Sequence, residues 1–166
     1  MQNDDVDLGP RKKGAKALAQ ELIKSASVLV APVSLQVIIE HLQKTNTLAV
    51  RRIIASEKVS GLIVMCTQVD SEYATIAFNG NLPWCRRRFT IAHEIGHFLF
   101  GHDCTKNQED GSRNEAEANA FAAELLIPTS FLKKDFSKIR NVQELAKLYR
   151  VSEQALTIKL MEARLV

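Results

Sequence analysis

The sequence predicts an α+β fold in which helices flank a small three-stranded antiparallel sheet. Apolar residues recur at helical spacing near the N-terminus, three short β-like runs follow, and helical periodicity returns for the second half of the chain. The composition, 46% hydrophobic and 25% charged over 166 residues, is that of an ordinary globular protein and allows one well-cored domain.

The N-terminal region is predicted to contain a leader and two helices. Residues 1–13 mix acidic and basic side chains without an apolar period, which indicates a mobile leader ahead of a single domain at 14–166. Periodic apolar residues predict a first helix at 14–27. Ser34 is then expected to cap a second helix.

The middle of the chain is predicted to form the sheet. Its three β-like runs are 48–55, 59–66 and 73–79, separated by short polar links. The third run is either a strand that pairs with an extended substrate or a purely structural edge strand. A long helix is expected next, beginning near Pro83 and ending at Gly101.

This long helix carries a complete HExxH motif. His93 and His97 are four residues apart and therefore lie on one helical face, where both imidazoles can bind one metal ion. Glu94 is badly placed as a ligand beside them but suits a general base that takes a proton from a water molecule activated by zinc. The alternative is a buried amphipathic helix that happens to hold two histidines.

A second helical stretch, 114–128, offers carboxylates for the third ligand position. Glu115 falls about 60° from the centre of the apolar sector of this helix and Glu117 about 100°, so Glu115 is the better inward ligand and Glu117 the reserve candidate. Asn119 lies one turn beyond Glu115. Its side-chain oxygen could accept the free ring N–H of a metal-binding histidine.

The longer HExxHxxGxxH pattern of metalloproteases offers an alternative third ligand that is closer to His97 in the sequence. That pattern would use Asp103 and requires a glycine at the position of Phe100, whereas Gly101 is one place out of register. His102 is expected to lie beyond the helix and off its ligand face.

Residues 88–97 followed by 115–128 resemble the ImmA/IrrE family of metallopeptidases. Similar proteins carry a strand ending in Asn, a basic loop, and a phrase like Arg-Phe-Thr-Ile-Ala-His-Glu-Ile-Gly-His, matched here by 76–79 and 86–97. They then carry a phrase like Glu-x-x-Ala-Asn-x-Phe-Ala followed by Leu-Leu-x-Pro, which 115–128 matches.

The resemblance implies a zincin-like core with a gluzincin-like site. It implies Zn²⁺ ligands at His93, His97 and Glu115, with Glu94 catalytic. It also implies a regulatory role in which a DNA-binding repressor is cleaved. The side-chain donors considered for the oxyanion of such a reaction are Tyr73, Tyr149 and His102.

Residues 129–166 are interpreted as a C-terminal helical extension of a catalytic core at 14–128. Its last part, 141–160, is typical of a helix-turn-helix, with Ser152 capping the second helix. The pair either packs structurally or reads DNA. The residues that would face DNA are Gln154, Thr157 and Lys159. If the helical pair binds DNA or a protein partner, the alternative function is that of a regulator without catalytic activity.

Charge and composition limit the other partners. A net charge of +3 is too small to indicate nucleic-acid binding by itself. The arginine run at 86–88 could bind an acidic substrate segment, or it could form a solvated face or internal ion pairs. No segment has the ~18 apolar residues of a membrane span and no signal peptide is visible, which predicts a cytoplasmic protein without membrane contact.

Overall fold

A computed structural model describes residues 9–68, 71–102 and 108–166, and the predicted α+β fold is confirmed. The elements within these ranges are α1 (Gly9–Ser25), α2 (Leu35–Leu42), β1 (Thr47–Ile53), β2 (Gly61–Gln68), β3 (Ser71–Asn79), α3 (Trp84–Phe100), α4 (Gln108–Leu126), α5 (Thr129–Phe136), α6 (Val142–Tyr149) and α7 (Glu153–Glu162). None of the helices in the described ranges combines the length and the apolarity needed to cross a membrane.

Helix α1 begins at Gly9, so the helix start predicted at Gly14 is wrong. Residues 11–14 are exposed, and an exposed first turn shows no apolar period by which it could be recognised. Residues 1–8, the rest of the predicted leader, lie outside the described residues. The buried face of α1, which packs against α4, consists of Ala15, Ala19, Leu22 and Ile23.

The sheet is mixed, which corrects the antiparallel prediction. Its strand order is β1-β3-β2, with β3 parallel to β1 and antiparallel to β2. The segment 54–60 carries the chain past the end of β3, and β2 then returns as the antiparallel partner on the far side. Alternation of apolar residues shows which face of a strand is buried but not its direction or its neighbours. Because β3 is the central strand of the described sheet, both alternatives for it, a strand that pairs with a substrate and a structural edge strand, are wrong.

Asn79, fully buried at the end of β3, fixes the loop that leads into β2. Its side-chain amide donates to the carbonyl oxygens of Ala55, Ser56 and Val59 at 2.9–3.1 Å. Its side-chain oxygen accepts from the backbone N–H of Asn81 at 3.0 Å. One side chain therefore ties the start of the edge strand β2 to the turn that precedes α3.

Helix α3 has the predicted ends, with Pro83 before it and Gly101 after it in the left-handed conformation at φ 61°. It crosses α4 closely at Gly96. A Cβ at Gly96 would lie 3.1 Å from Cδ1 of Phe121 and 3.3 Å from Cα of Ala118. The absence of a side chain at this position therefore sets how near the two helices lie.

The caps predicted at Ser34 and Ser152 are confirmed. Their hydroxyl oxygens accept backbone N–H groups three residues on, at 3.4 Å and 3.2 Å. Between α6 and α7, Arg150 takes the left-handed conformation, φ 55°, that a glycine often supplies in a turn. The pair buries Leu145, Tyr149, Leu156 and Leu160 in the same core cluster as α1, α3 and α4.

Candidate metal centre

His93 and His97 on α3 and Glu115 on α4 come together at one point. Each offers one ligand atom, and these atoms lie within 4.8 Å of one another. Nε2 of His93 is 3.3 Å from Glu115 Oε2, Nε2 of His97 is 3.2 Å from Glu115 Oε1, and the two Nε2 atoms are 3.0 Å apart. Tetrahedral ligands at zinc–nitrogen distances of about 2.0–2.1 Å would be separated by roughly 3.4 Å. The three side chains therefore fit a zinc ion in spacing and in donor type.

Asn119 lies against the other ring nitrogen of His93, where the sequence placed it. The distance from His93 Nδ1 to Asn119 Oδ1 is 3.0 Å. An amide oxygen only accepts hydrogen bonds, so this contact places the ring proton on Nδ1 and leaves the Nε2 lone pair facing Glu115 and His97.

His97 has a corresponding support that the sequence did not reveal. Its Nδ1 is 2.9 Å from Nδ1 of His102, whose Nε2 is 3.1 Å from Glu117 Oε2. The Glu117 carboxylate accepts from Nε2 of His102, and Nδ1 of His102 in turn accepts from Nδ1 of His97. In this arrangement of protons, Nε2 of His97 also carries a free lone pair.

His102 lies beyond the helix and outside the ligand cluster, as predicted, but the prediction missed its contact with His97. The prediction assumed that the helical rotation continues past residue 100, but Gly101 reverses the backbone and returns His102 to the helix, where it is 8% exposed. Glu117, the reserve ligand, contacts His102 instead of the three-residue cluster. The sequence signal for this contact was a histidine directly after a glycine that ends the helix.

Glu94 is buried beside this cluster, in a cleft of about 450 Å³. The first residue of β2, Gly61, borders the same cleft, and a Cβ there would collide with Thr90 and come 3.7 Å from Glu94 Oε1. The glycine thus allows the edge strand to lie directly against the HExxH segment of α3.

Burial has opposite effects on the carboxylate and the imidazoles. It raises the pKa of Glu94 to about 7, and the negative charge of Glu115 adds to this shift. Burial lowers the pKa of His97 to about 4, with the charge of His93 acting in the same direction. Burial also lowers the pKa of His93, against the opposing charge of Glu115. Both imidazoles are therefore neutral near pH 7, as metal ligation requires.

A comparison with known protein families identifies the family of this chain. A model of peptidase family M78, described as the IrrE N-terminal-like domain, matches residues 37–161. The chain belongs to this family. The matched region contains every residue of the metal cluster and of its hydrogen-bonded supports, whereas α1 lies before it. Membership supports a metallopeptidase-like or regulatory role.

Solved structures support the IrrE-like fold. A Mycobacterium tuberculosis transcriptional regulator resembles the chain with a TM-score of 0.64 and 14% sequence identity, over 89% of this chain and 47% of that chain. The chain thus spans about half the length of that regulator, and at this identity the likeness shows a shared fold. No match is found among curated proteins.

The remaining predicted site residues of this IrrE-like chain have other surroundings. Tyr149 is fully buried and donates its hydroxyl to Asp135 at 2.7 Å, which removes it from the oxyanion candidates. Tyr73 lies in β3, opposite Thr47 of β1. Asp103, the ligand of the longer pattern, lies outside the described residues.

The predicted DNA-facing set is separated by the fold. Gln154 and Thr157 are exposed on α7. Lys159 is 2% exposed and its ammonium lies 2.6 Å from the fully buried carboxylate of Glu124. The prediction that Lys159 is available to DNA is therefore wrong.

Proposed function

We propose that this chain is a zinc-dependent metallopeptidase. The observation that supports it best is the convergence of His93, His97 and Glu115 from two packed helices, with Glu94 buried in the same cleft. Two neutral imidazoles and one carboxylate are a donor set that catalytic zinc uses while keeping a position open.

In the proposed reaction the residues of the site have separate roles. His93, His97 and Glu115 bind the metal, while Asn119 orients His93. When bound, zinc supplies a Lewis acid that acidifies a water molecule and polarises a carbonyl group. Glu94 takes the proton of the attacking water and delivers it to the departing amine.

The cleft suits an extended peptide. In the proposed arrangement the substrate lies along β2, the edge strand that borders the metal cleft, and its backbone groups pair with those of β2 beginning near Gly61. Phe89 and Asn119 border both this cleft and an adjoining apolar cleft of about 440 Å³, formed mainly by α4 and α7. The apolar cleft offers space for an apolar substrate side chain beside the scissile bond.

The substrate proposed is one cognate DNA-binding repressor, cleaved at one or a few bonds in the cytoplasm so that repression is relieved. This part rests on the resemblance to ImmA/IrrE proteins. Selectivity would come from docking, for which α7 and Arg86 are positioned because both border the connected clefts. Generic peptides and casein lack such docking contacts and are expected to be poor substrates.

A regulator that acts without catalysis is the rival function. The relatedness of fold to a transcriptional regulator favours it, whereas the burial of Lys159 weakens a direct role of α7 in reading DNA. The rival predicts a salt-dependent shift of a specific duplex that Gln154→Ala weakens.

The decisive experiment is incubation of zinc-loaded wild type and Glu94→Gln with a candidate DNA-binding repressor, such as one encoded beside this protein, followed by intact mass spectrometry. Wild type should cut the repressor, whereas Glu94→Gln should bind zinc normally and leave it intact, because Glu94 is not a ligand. His93→Ala should lose both properties. If wild type binds less than about a tenth of an equivalent of zinc, against the near-stoichiometric binding expected of a preformed site, the proposal fails.

A further inference from the structure

Arg87 and Arg88 of α3 border a cavity that shares no lining residue with the metal cleft. Arg88 is 5% exposed, and its Nη2 donates to the carbonyl oxygen of Val33 at 3.0 Å. Nε of Arg88 and Nε of Arg87 are buried without a hydrogen-bond partner. A guanidinium has five N–H donors, and burying one without a counter-charge is costly. No described carboxylate forms an ion pair with either arginine.

These two side chains border a cavity of about 580 Å³ between α2, β1, β3 and α3, and Arg150 from the α6–α7 turn borders it as well. Glu40 is the acidic residue at this cavity, and its carboxylate accepts from Gln36 at 2.9 Å. Three positive groups therefore face one negative group. In agreement with this imbalance, burial and the charge of Arg150 both lower the pKa of Arg88, while Cys85 acts in the opposite direction.

The rest of the cavity has the character of a small-molecule site. Its size falls within the ~300–1,000 Å³ of typical ligand pockets. Its apolar wall consists of Val33, Leu35, Ile39, Val50, Phe78 and Ile91. Trp84, 53% exposed, lies at the same cavity with the Arg87 guanidinium 5.3 Å from its ring centre. An exposed indole beside the half-buried guanidinium of Arg87 offers a stacking surface next to an anion-binding position.

We propose that this cavity binds a small organic phosphate, with the phosphate on Arg87, Arg88 and Arg150 and an aromatic body against Trp84. Bidentate contact with guanidinium groups is the geometry by which arginine recognises phosphate. A small molecule is favoured over a flat protein surface because Arg88, which borders the cavity, is only 5% exposed. The site is independent of the metal cluster and of peptidase activity.

Trp84 is the one tryptophan of the sequence, so intrinsic fluorescence reports on this cavity. Zinc-loaded protein is titrated at constant ionic strength with adenosine monophosphate, and separately with adenosine and with inorganic phosphate. Adenosine monophosphate should give a saturable change with an affinity at least about tenfold higher than adenosine or phosphate alone, since a charge-assisted hydrogen bond and ring stacking each add to binding.

The arginine run supplies its own matched control. Arg86 borders the metal cleft and donates to Ser60 at 2.9 Å, whereas Arg87 borders the phosphate cavity. Arg87→Met and Arg150→Met should each weaken binding about tenfold, and Arg86→Met, which removes the same charge, should weaken it less than about twofold. Circular dichroism and thermal unfolding verify that the variants are folded, and Arg88→Met is not needed for the test.

Three results would overturn the proposal. These are no saturable change in Trp84 fluorescence, an equal loss in Arg86→Met and Arg150→Met, and adenosine or phosphate binding as tightly as adenosine monophosphate. A glutamate-rich peptide that binds more tightly than adenosine monophosphate would equally overturn it, because the ligand would then be an acidic protein segment.

Discussion

Glu115 and Glu117, two residues apart on α4, have different neighbours. The carboxylate of Glu115 faces both imidazoles, whereas that of Glu117 faces His102. We expect Glu115→Ala to reduce zinc affinity more than about 100-fold, which exceeds the effect of removing a residue that contacts only a ligand. Glu117→Ala should reduce zinc affinity by about tenfold. Competition with a chromophoric chelator measures both. A larger loss in Glu117→Ala than in Glu115→Ala would transfer the ligand role to Glu117.

His102 and Glu117 act on the same ligand, because the only described route from Glu117 to His97 passes through His102. His102→Ala should weaken zinc binding about tenfold, and adding Glu117→Ala should cost little more. Asn119→Ala is the control, because it acts on His93 and its effect should add to that of His102→Ala. Fully additive losses from His102→Ala and Glu117→Ala would show that the two residues do not work through one contact.

The spacing of residues within one continuous helix was sufficient to predict much of this cluster. His93, His97, Glu115 and Asn119 lie together because rotation of about 100° per residue holds within α3 and within α4. His102 could not be found in this way, since a single left-handed residue, Gly101, ends the rotation and redirects the chain. Burial of Lys159 was equally hidden, because its partner Glu124 is distant in sequence.

Among the secondary-structure elements, α3 and α4 determine the spacing of the proposed zinc ligands by packing at Gly96. Gly96→Ala would force the helices apart, because the added Cβ meets the backbone of Ala118 as well as the ring of Phe121. We expect weaker zinc binding, by about tenfold, from a displacement of Glu115 relative to the histidines.

Gly111, also on α4, is the matched control for this prediction. A Cβ there meets nothing within 4 Å, so Gly111→Ala should leave zinc affinity unchanged and raise the free energy of unfolding by up to about 1 kcal/mol. Calorimetric zinc titration and urea unfolding test the pair. Wild-type zinc affinity in Gly96→Ala would show that the close crossing is not required.

The direction and pairing of the strands could not be predicted from the local pattern of apolar residues. The three strands were found close to their observed bounds, yet the parallel pairing of β1 with β3 was not predicted. Strand direction follows from the path of the 54–60 loop, which Asn79 fixes by contacts with residues more than twenty positions away. Such contacts leave no period in the sequence.

Across the whole molecule, Glu124 joins four helices. Its buried carboxylate accepts from Gln20 of α1, from Thr129 of α5 and from Lys159 of α7. Breaking a buried ion pair leaves an uncompensated charge, so Lys159→Met should lower the free energy of unfolding by about 3–5 kcal/mol. Urea denaturation measures the loss. Lys16→Met removes an exposed lysine that pairs with Glu162 and should cost less than about 1 kcal/mol.

The same carboxylate makes stability sensitive to acid. Burial alone would raise the pKa of Glu124, but hydrogen bonds from Gln20 and Lys159 outweigh it and lower the pKa below its usual value. The contribution of Glu124 to the free energy of unfolding is therefore complete above its unfolded-state pKa of about 4.3. This contribution is lost as the pH falls through the lower folded-state pKa. Lys159→Met should lose less stability than wild type over this range. Parallel acid-unfolding curves would contradict the assignment.

The close crossing at Gly96 also bears on how the protein responds to metal supply. The proposed ligands are carried by two helices whose separation is determined by apolar packing, so the metal-free and metal-loaded forms should share one backbone. Uptake then requires ligand exchange alone, in contrast to small domains that fold only around their zinc. If the proposed zinc site is correct, protein deprived of zinc should stay folded and regain the metal without passing through an unfolded state.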